Sequence, residues 1–177
     1  MTIKEIIEKR QSNRRYKPNK VEFEKIMQCI EAARLAPSAC NAQPWKFVIV
    51  EEPDLLKKIA DAAKGLGMNK FVSRVPVIIA IVMERASAAS AIGSKIKGKD
   101  YSQFDIGIAS ENICLQATEL GLGSCIVGWF NEREIKKLLK IPFTKRVPLL
   151  ITLGYPDDEQ RIKTRKKIEQ IYSRNKY

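Results

Sequence analysis

Histidine is absent from this chain of 177 residues. Without imidazole, neither a Ser-His-Asp triad nor a Cys-His nucleophile pair can be assembled. HExxH and the other histidine-containing zinc sites are excluded with them. If the chain is an enzyme, a cofactor is the expected source of its chemistry. Cysteine is scarce: Cys29, Cys40, Cys114 and Cys125, with no CxxC pair. Three of the four lie in apolar segments, which reads as reduced core thiols rather than a disulfide framework. No apolar run reaches the roughly 20 residues of a membrane span. The N-terminal MTIKEIIEKR lacks the apolar stretch and cleavage site of a secretion signal, so a cytoplasmic protein with no membrane partner is expected. Acidic residues are also short, 20 against 32 Lys and Arg, leaving a net charge of +12. That balance favours anionic partners: nucleic acid, phosphates or acidic lipid. Part of the excess sits in the C-terminal RIKTRKKIEQIYSRNKY, whose simplest reading is a solvated basic tail.

What is present has a clear order. Thr2 and Glu5 match a capping box opening a helix with Ile3, Ile6 and Ile7. Val21, Phe23, Ile26, Met27, Ile30 and Ala33 recur at helical spacing and stop before Pro37. WKFVIVEE, Trp45 to Glu52, is a strand by its β-branched and aromatic content. PDLLKKIADAAKG reads as a helix with Pro53 near its start and Gly65 past its end. PVIIAIVM, Pro76 to Met83, is a continuous apolar run, expected of a strand buried on both faces. The small, polar and basic stretch Glu84 to Phe104 reads as a surface loop or short helices. Asp105 is placed to cap the apolar helix IGIASENICLQATELG. SCIVGWF then reads as a short extended segment, NEREIKKLLK as a helix capped by Asn131, and VPLLITLGYP as a last buried strand. No repeat, linker or compositional break divides the chain, so one domain over 1–177 is expected. Two helices followed by alternating strands and helices indicate an α/β or α+β three-layer sandwich.

Four motifs carry possible chemistry. GSKIKGKD has Gly93, Gly98 and Lys99 at P-loop spacing, but Asp100 stands where a hydroxyl would hold magnesium, and no strand runs directly into it. GLGSCIVG follows a helix, whereas a dinucleotide fingerprint follows a strand, so Gly121 reads as a helix C-cap. In KRQSNRRY, Arg10, Ser12 and Arg14 recur every second residue. In an extended segment they share one face, where two guanidiniums and a hydroxyl make a phosphate grip. A solvated basic loop and a nucleic-acid patch are the competing readings. PSACNAQPW, Pro37 to Trp45, places a thiol, two amides and a tryptophan in a connector, as either a nucleophilic cysteine or a wall for a flat ligand.

Taken in order, KRQSNRRY, PSACNAQPW, DIGIASENICLQATELGLGSCIVGWF and LGYP with the basic tail resemble a short member of the nitroreductase family, the FMN-dependent NAD(P)H oxidoreductases. The resemblance implies an α+β, three-layer α/β/α sandwich with a mixed central sheet. It also implies a homodimer completed by exchange of the C-terminal tail, residues 160–177, with each flavin at the subunit interface. Arg10 and Ser12, with Gln11 between them, are assigned by it to the FMN phosphate, joined by Lys163 and Arg165. Arg14 and Lys70 resemble the cations at the pyrimidine edge of the ring, with Asn69 beside them. A cation there stabilises the negative charge that reduction places around N1 and O2. Pro37, Ser38, Ala39, Asn41 and Gln43 would come from the second subunit and cover the ring. Ile126 and Val127 would pack against its face, and Gly128 resembles the position whose amide meets N5, where a glycine allows close approach.

The resemblance thus implies electron transfer from NADH or NADPH through FMN to a small organic oxidant, a nitroaromatic or quinone, in a ping-pong cycle. No side chain is assigned a covalent catalytic role. Another flavin-dependent reaction of the same family, dehydrogenation or dehalogenation, is the enzymatic alternative. A basic nucleic-acid-binding module is the non-enzymatic one. Against the latter, aromatics are only 7% of the chain and do not interleave with the basic residues as stacking platforms require.

Overall fold

The apolar run Val77–Met83 forms the central strand, β2, and both of its faces are buried. In this computed structural model, residues 1–65, 67–84 and 100–177 are described. Residues 85–99, which hold all of GSKIKGKD but Asp100 and most of the short 84–104 segment, lie outside the described residues. Strands β1 (Trp45–Val50), β2, β3 (Gly123–Val127) and β4 (Arg146–Gly154) form one sheet in the order β1-β2-β4-β3. Every pairing among them is antiparallel. Among the described residues of the single chain the sheet is thus antiparallel rather than mixed, and parallel pairing is confined to one isolated bridge, Ser12 to Ser124.

Alternation along β2 sorts the core into two layers, because successive side chains point to opposite faces. Val77, Ile79 and Ile81 pack with Ile151 and Leu153 against helices α2 (Phe23–Arg34) and α4 (Tyr101–Glu119). Ile78, Ala80 and Val82 pack with Leu150 against α3 (Pro53–Ala63) and α5 (Glu132–Leu138). The register shifts where Ile81 pairs with Leu149 but Met83 pairs with Arg146. One extra residue on β4 at Pro148 lets Val147 and Leu149 face opposite layers, as a β-bulge does. The α+β three-layer sandwich therefore stands.

Local signals explain most element ends. Helix α1 (Ile3–Lys9) opens with the capping box of Thr2 and Glu5. Pro53 starts α3, and the Glu52 carboxylate accepts from the N–H groups of Asp54 and Leu55. Asn131 caps α5 by accepting from Glu134 N–H at 3.2 Å. At the end of α4, Gly121 has φ +75°, with Gly121 N–H to Thr118 and Leu122 N–H to Ala117. This is a Schellman closure, which favours glycine. The start of α4 differs from expectation. Asp100, not Asp105, is the cap, accepting from Ser102 N–H at 3.1 Å. Tyr101 to Phe104 extend the helix backwards, so Asp105 falls inside it and is buried.

Candidate functional site

Residues 10 to 17 leave α1 as an extended strap across the sheet edge. Asn13 N–H bonds Ser124 carbonyl at 2.9 Å, and Lys17 N–H bonds Tyr155 carbonyl at 2.9 Å. The Asp158 carboxylate accepts from the N–H groups of Arg14 and Arg15, at 3.0 and 2.6 Å. Tyr16 anchors the strap below, its hydroxyl bonded to Asn13 carbonyl at 2.9 Å and to Thr152 Oγ1 at 2.7 Å. Burial raises the Tyr16 phenol far above its ordinary value, so it stays protonated. With the backbone tied down, the arginine side chains project from fixed positions.

The C-terminal segment 158–165 lies beside this strap and closes a basic cleft of about 270 Å³. Its walls are Arg10, Gln11, Ser12, Arg14, Arg161, Ile162, Lys163, Thr164 and Arg165, so five cations surround one space. Gln11 stitches the two segments together: its Nε2 donates to Glu159 carbonyl at 3.0 Å and its Oε1 accepts from Arg161 N–H at 3.0 Å. Arg161 donates to Ser12 carbonyl, and Lys163 to Ile7 carbonyl at the end of α1. Glu111 of α4 reaches Arg10 at 3.5 Å. Desolvation and the neighbouring Arg10 and Arg165 charges hold the Lys163 ammonium below the ordinary lysine value. Beneath the cleft, burial raises the Cys125 thiol, with Arg14, Ser12, Arg161 and Arg10 drawing it partway back. A concentration of like charge around a space is stabilised by an anion placed in it.

Arg14 also lines a neighbouring chamber of about 400 Å³ with Arg15, Tyr16, Lys70, Phe71, Ser73, Arg74 and Asp157. At the end of β3, Gly128 is exposed, and a Cβ built on it would meet only Leu149 Cδ2, at 3.7 Å. Its φ is not positive. Neither backbone conformation nor packing among the described residues requires a glycine there. The Pro37–Trp45 loop is strained, with Cys40, Asn41 and Gln43 at φ 52°, 51° and 46°. Left-handed backbone costs a non-glycine residue roughly 1–2 kcal/mol. Gln43 N–H to Ser38 Oγ at 3.0 Å and Ala39 N–H to Asp105 Oδ1 at 3.1 Å hold the loop in place. Asp105 Oδ2, also buried, has no partner among the described residues. Strain sustained by specific anchors marks functional loops.

Comparison with known proteins decides the family. The Nitroreductase family model matches residues 7–155. The chain belongs to the nitroreductase family. An Archaeoglobus fulgidus protein named as an NADH dehydrogenase/NAD(P)H nitroreductase is 35% identical over 159 residues, covering 85% of this chain and 83% of that protein. The iodotyrosine deiodinase of Thermotoga neapolitana is 27% identical over 176 residues, covering 87% and 88%. The FMN-dependent nitroreductase of Clostridium difficile R20291 superposes with a TM-score of 0.81 at 28% identity, covering 97% of this chain and 98% of that one. The protein is thus an oxidoreductase of the nitroreductase fold.

Measured against this nitroreductase geometry, the sequence reading divides. Arg10, Gln11, Ser12, Arg14, Lys163 and Arg165 meet in one cleft, and Arg14 meets Lys70 in the next. Gln11 has its amide engaged with the tail backbone, which makes it a wall rather than a free ligand. Asn69 is similarly engaged: Nδ2 donates to Ala63 carbonyl at 3.2 Å and Trp129 carbonyl at 2.7 Å. Val127 requires correction. Its side chain is buried in the α3/α5 layer, whereas Ile126 is 38% exposed. Consecutive strand residues cannot share a face, so only Ile126 presents a side chain outward. Pro37, Ser38, Ala39, Asn41 and Gln43 do not line the basic cleft of their own chain. Arg161 was missed, although Arg161, Lys163 and Arg165 repeat the every-second-residue spacing of Arg10, Ser12 and Arg14.

Proposed function

We propose that the protein is a homodimeric FMN-dependent NAD(P)H oxidoreductase that reduces small organic oxidants, nitroaromatics or quinones, in a ping-pong cycle. The observation that carries this reading is the cleft in which Arg10, Arg14, Arg161, Lys163 and Arg165 surround a space suited to a phosphate. FMN brings a phosphate dianion, a polar chain and a flat ring, and Arg–phosphate pairs are strong and geometrically specific. A bound flavin would supply the redox chemistry, acceptance of hydride from the nicotinamide and delivery of electrons to the oxidant. The chain binds, orients and polarises. Arg10, Ser12, Lys163 and Arg165 hold the phosphate. Arg14 and Lys70 place positive charge beside the pyrimidine edge. Gly128, which nothing among the described residues requires to be glycine, leaves room for the ring against backbone N–H.

A second subunit completes the site in this reading. The outer face of α4 exposes Phe104 and Ile108 with Gly107 between them, and a Cβ at Gly107 would meet nothing within 4 Å among the described residues. A glycine inside a helix costs about 0.5–1 kcal/mol relative to alanine, so its presence there fits a close crossing by another helix. Ile168, Ile171 and Tyr172 in the tail are each at least 60% exposed. Burying these groups on a partner removes apolar surface from water. That partner would also bring its Pro37, Ser38, Ala39, Asn41 and Gln43 loop over the ring. A single domain over 1–177, with 160–177 docking across the dimer, is part of the proposal, as is a cytoplasmic location. Among the described residues, no helix is long and apolar enough to cross a membrane. Light scattering of the FMN-loaded protein, with flavin counted per subunit, tests this arrangement. A dimer with one flavin per subunit is expected; a monomer that holds FMN tightly contradicts it.

A further inference from the structure

We propose that the chamber beside the flavin cleft is a second anion site, and that Arg15 and Arg74 there select NADPH over NADH by gripping its 2′-phosphate. The inference rests on the FMN reading for its catalytic meaning. It starts from charges which that reading leaves unused. The first cleft already supplies Arg10, Arg161, Lys163 and Arg165 for one phosphate. The pyrimidine edge of the reduced ring is met by Arg14 and Lys70. Arg15 and Arg74 remain, in a space of about 400 Å³ that continues from the flavin cleft through Arg14.

Arg14, Arg15, Lys70 and Arg74 all contribute to the lining of this chamber, with Asp157 as its one carboxylate among the described residues. Among the described residues, Lys4, Arg10, Lys25, Arg34, Lys64, Lys137, Lys145 and Arg146 each lie within salt-bridge distance of a carboxylate; Arg14, Arg15, Lys70 and Arg74 do not. These four cations therefore share one space without a salt-bridge partner among the described residues. Their backbones are held. Arg15 N–H bonds Asp158, and Arg15 carbonyl accepts from Asp157 N–H at 3.0 Å. Lys70 and Arg74 sit on one 3-10 turn, Lys70–Arg74, where Ser73 Oγ donates to Lys70 carbonyl at 2.8 Å. Half-buried Phe71 adds an apolar wall. A charged, partly apolar space of this volume suits part of a nucleotide.

Guanidinium forks match a phosphomonoester, which offers up to two charges and three acceptor oxygens. NADPH carries such a group on its adenosine ribose, and NADH has a hydroxyl there. The difference between the two donors is therefore the ligand chemistry that Arg15 and Arg74 can read. Uniform attraction to the pyrophosphate would favour both donors alike.

The test uses the FMN-loaded full-length protein with a quinone acceptor, measuring kcat/KM for NADPH and NADH from the 340 nm absorbance. The wild type is expected to favour NADPH by about 10-fold or more, and Arg15→Ala/Arg74→Ala to lower the NADPH:NADH ratio by about 10- to 100-fold, mainly through KM for NADPH. Arg15→Lys/Arg74→Lys should recover part of the ratio, because charge returns without the fork. A wild type that prefers NADH, or a double variant that lowers both donors equally, overturns the proposal. Calorimetric binding of 2′,5′-ADP and 5′-ADP to the flavin-free protein separates the site from the flavin reading. Preferential 2′,5′-ADP binding, lost in the double variant, supports the anion site even if FMN does not bind. Equal affinity for the two nucleotides defeats it even if the protein is a flavoprotein.

Discussion

Substituting Gly128 by alanine separates a glycine kept for folding from one kept for a ligand. A Cβ there would lie 3.7 Å from Leu149 Cδ2, an ordinary contact, and the backbone is not left-handed. Alanine also restricts the unfolded chain, so flavin-free Gly128→Ala should be as stable as the wild type or more stable, by up to about 0.4–1 kcal/mol. The outcome for FMN is opposite. If the ring lies against this backbone, an added methyl overpacks the contact and costs about 1–3 kcal/mol, a loss of roughly 5- to 150-fold in affinity. Gly154 and Gly123 provide the contrast. A Cβ at Gly154 would stand 2.7 Å from Pro76 Cδ, and one at Gly123 would stand 2.7 Å from Asn13 Cγ. Their alanine variants should lose stability by about 1–3 kcal/mol, with FMN affinity falling only as the fold does. Thermal unfolding of the flavin-free proteins and fluorescence titration with FMN measure both quantities. If Gly128→Ala binds FMN as tightly as the wild type, the ring does not approach here. If it unfolds early without flavin, the packing argument is wrong.

Three further outcomes follow from the same geometry. Arg10→Ala should weaken FMN binding by about 1.5–3 kcal/mol, the range for a charge-assisted hydrogen bond; unchanged affinity removes Arg10 from the phosphate site. Truncation after Gln160 deletes Arg161, Lys163, Arg165 and the exposed tail residues together, so flavin and dimer should be lost at once; a truncated protein that stays yellow and dimeric shows the tail to be dispensable. Cys40 is the exposed thiol, whereas burial pushes Cys29 up to about 12 and Cys114 up to about 11. One thiol should therefore titrate with Ellman's reagent in the native protein at pH 8, and Cys40→Ala should abolish that reaction while retaining FMN and most reductase activity. Because both folded values lie above the unfolded value, the two buried thiols contribute stability that is complete below pH 9 and declines as pH rises toward 11 to 12. A melting temperature that Cys29→Ala/Cys114→Ala leaves equally sensitive between pH 9 and 11 counts against this.

Elements decided by local chemistry were legible in the sequence; those decided by distant partners were not. The unbroken run Val77–Met83 announced a strand covered on both faces, and Thr2, Pro53 and Gly121 marked helix ends through caps that depend only on neighbours. Asp100 and Asp105 were both able to cap α4. The choice between them turned on whether Tyr101 to Phe104 joined the helix, which the weak helix preferences of Tyr, Ser and Phe do not reveal. The antiparallel order β1-β2-β4-β3 depends on pairings between remote segments, and no sequence period encodes them. In the site, the spacing of Arg10, Ser12 and Arg14 foretold a shared face. The same spacing at Arg161, Lys163 and Arg165 was there to be read, but Arg161 was passed over. Period-2 alternation could likewise have separated Ile126 from Val127. The left-handed backbone at Cys40 and Gln43 had no sequence signal, because glycine, the usual marker, is absent; of the three positions only Asn41 carries a residue type that tolerates it well.

The absorbance spectrum of the purified protein, reconstituted with FMN and then reduced anaerobically, tests the central claim most directly. A flavin spectrum with maxima near 370 and 450 nm is expected, about one FMN per subunit released on denaturation, and loss of the 450 nm band on adding NADPH. A protein that remains colourless after incubation with FMN, or one whose bound flavin neither NADPH nor NADH reduces, contradicts the account.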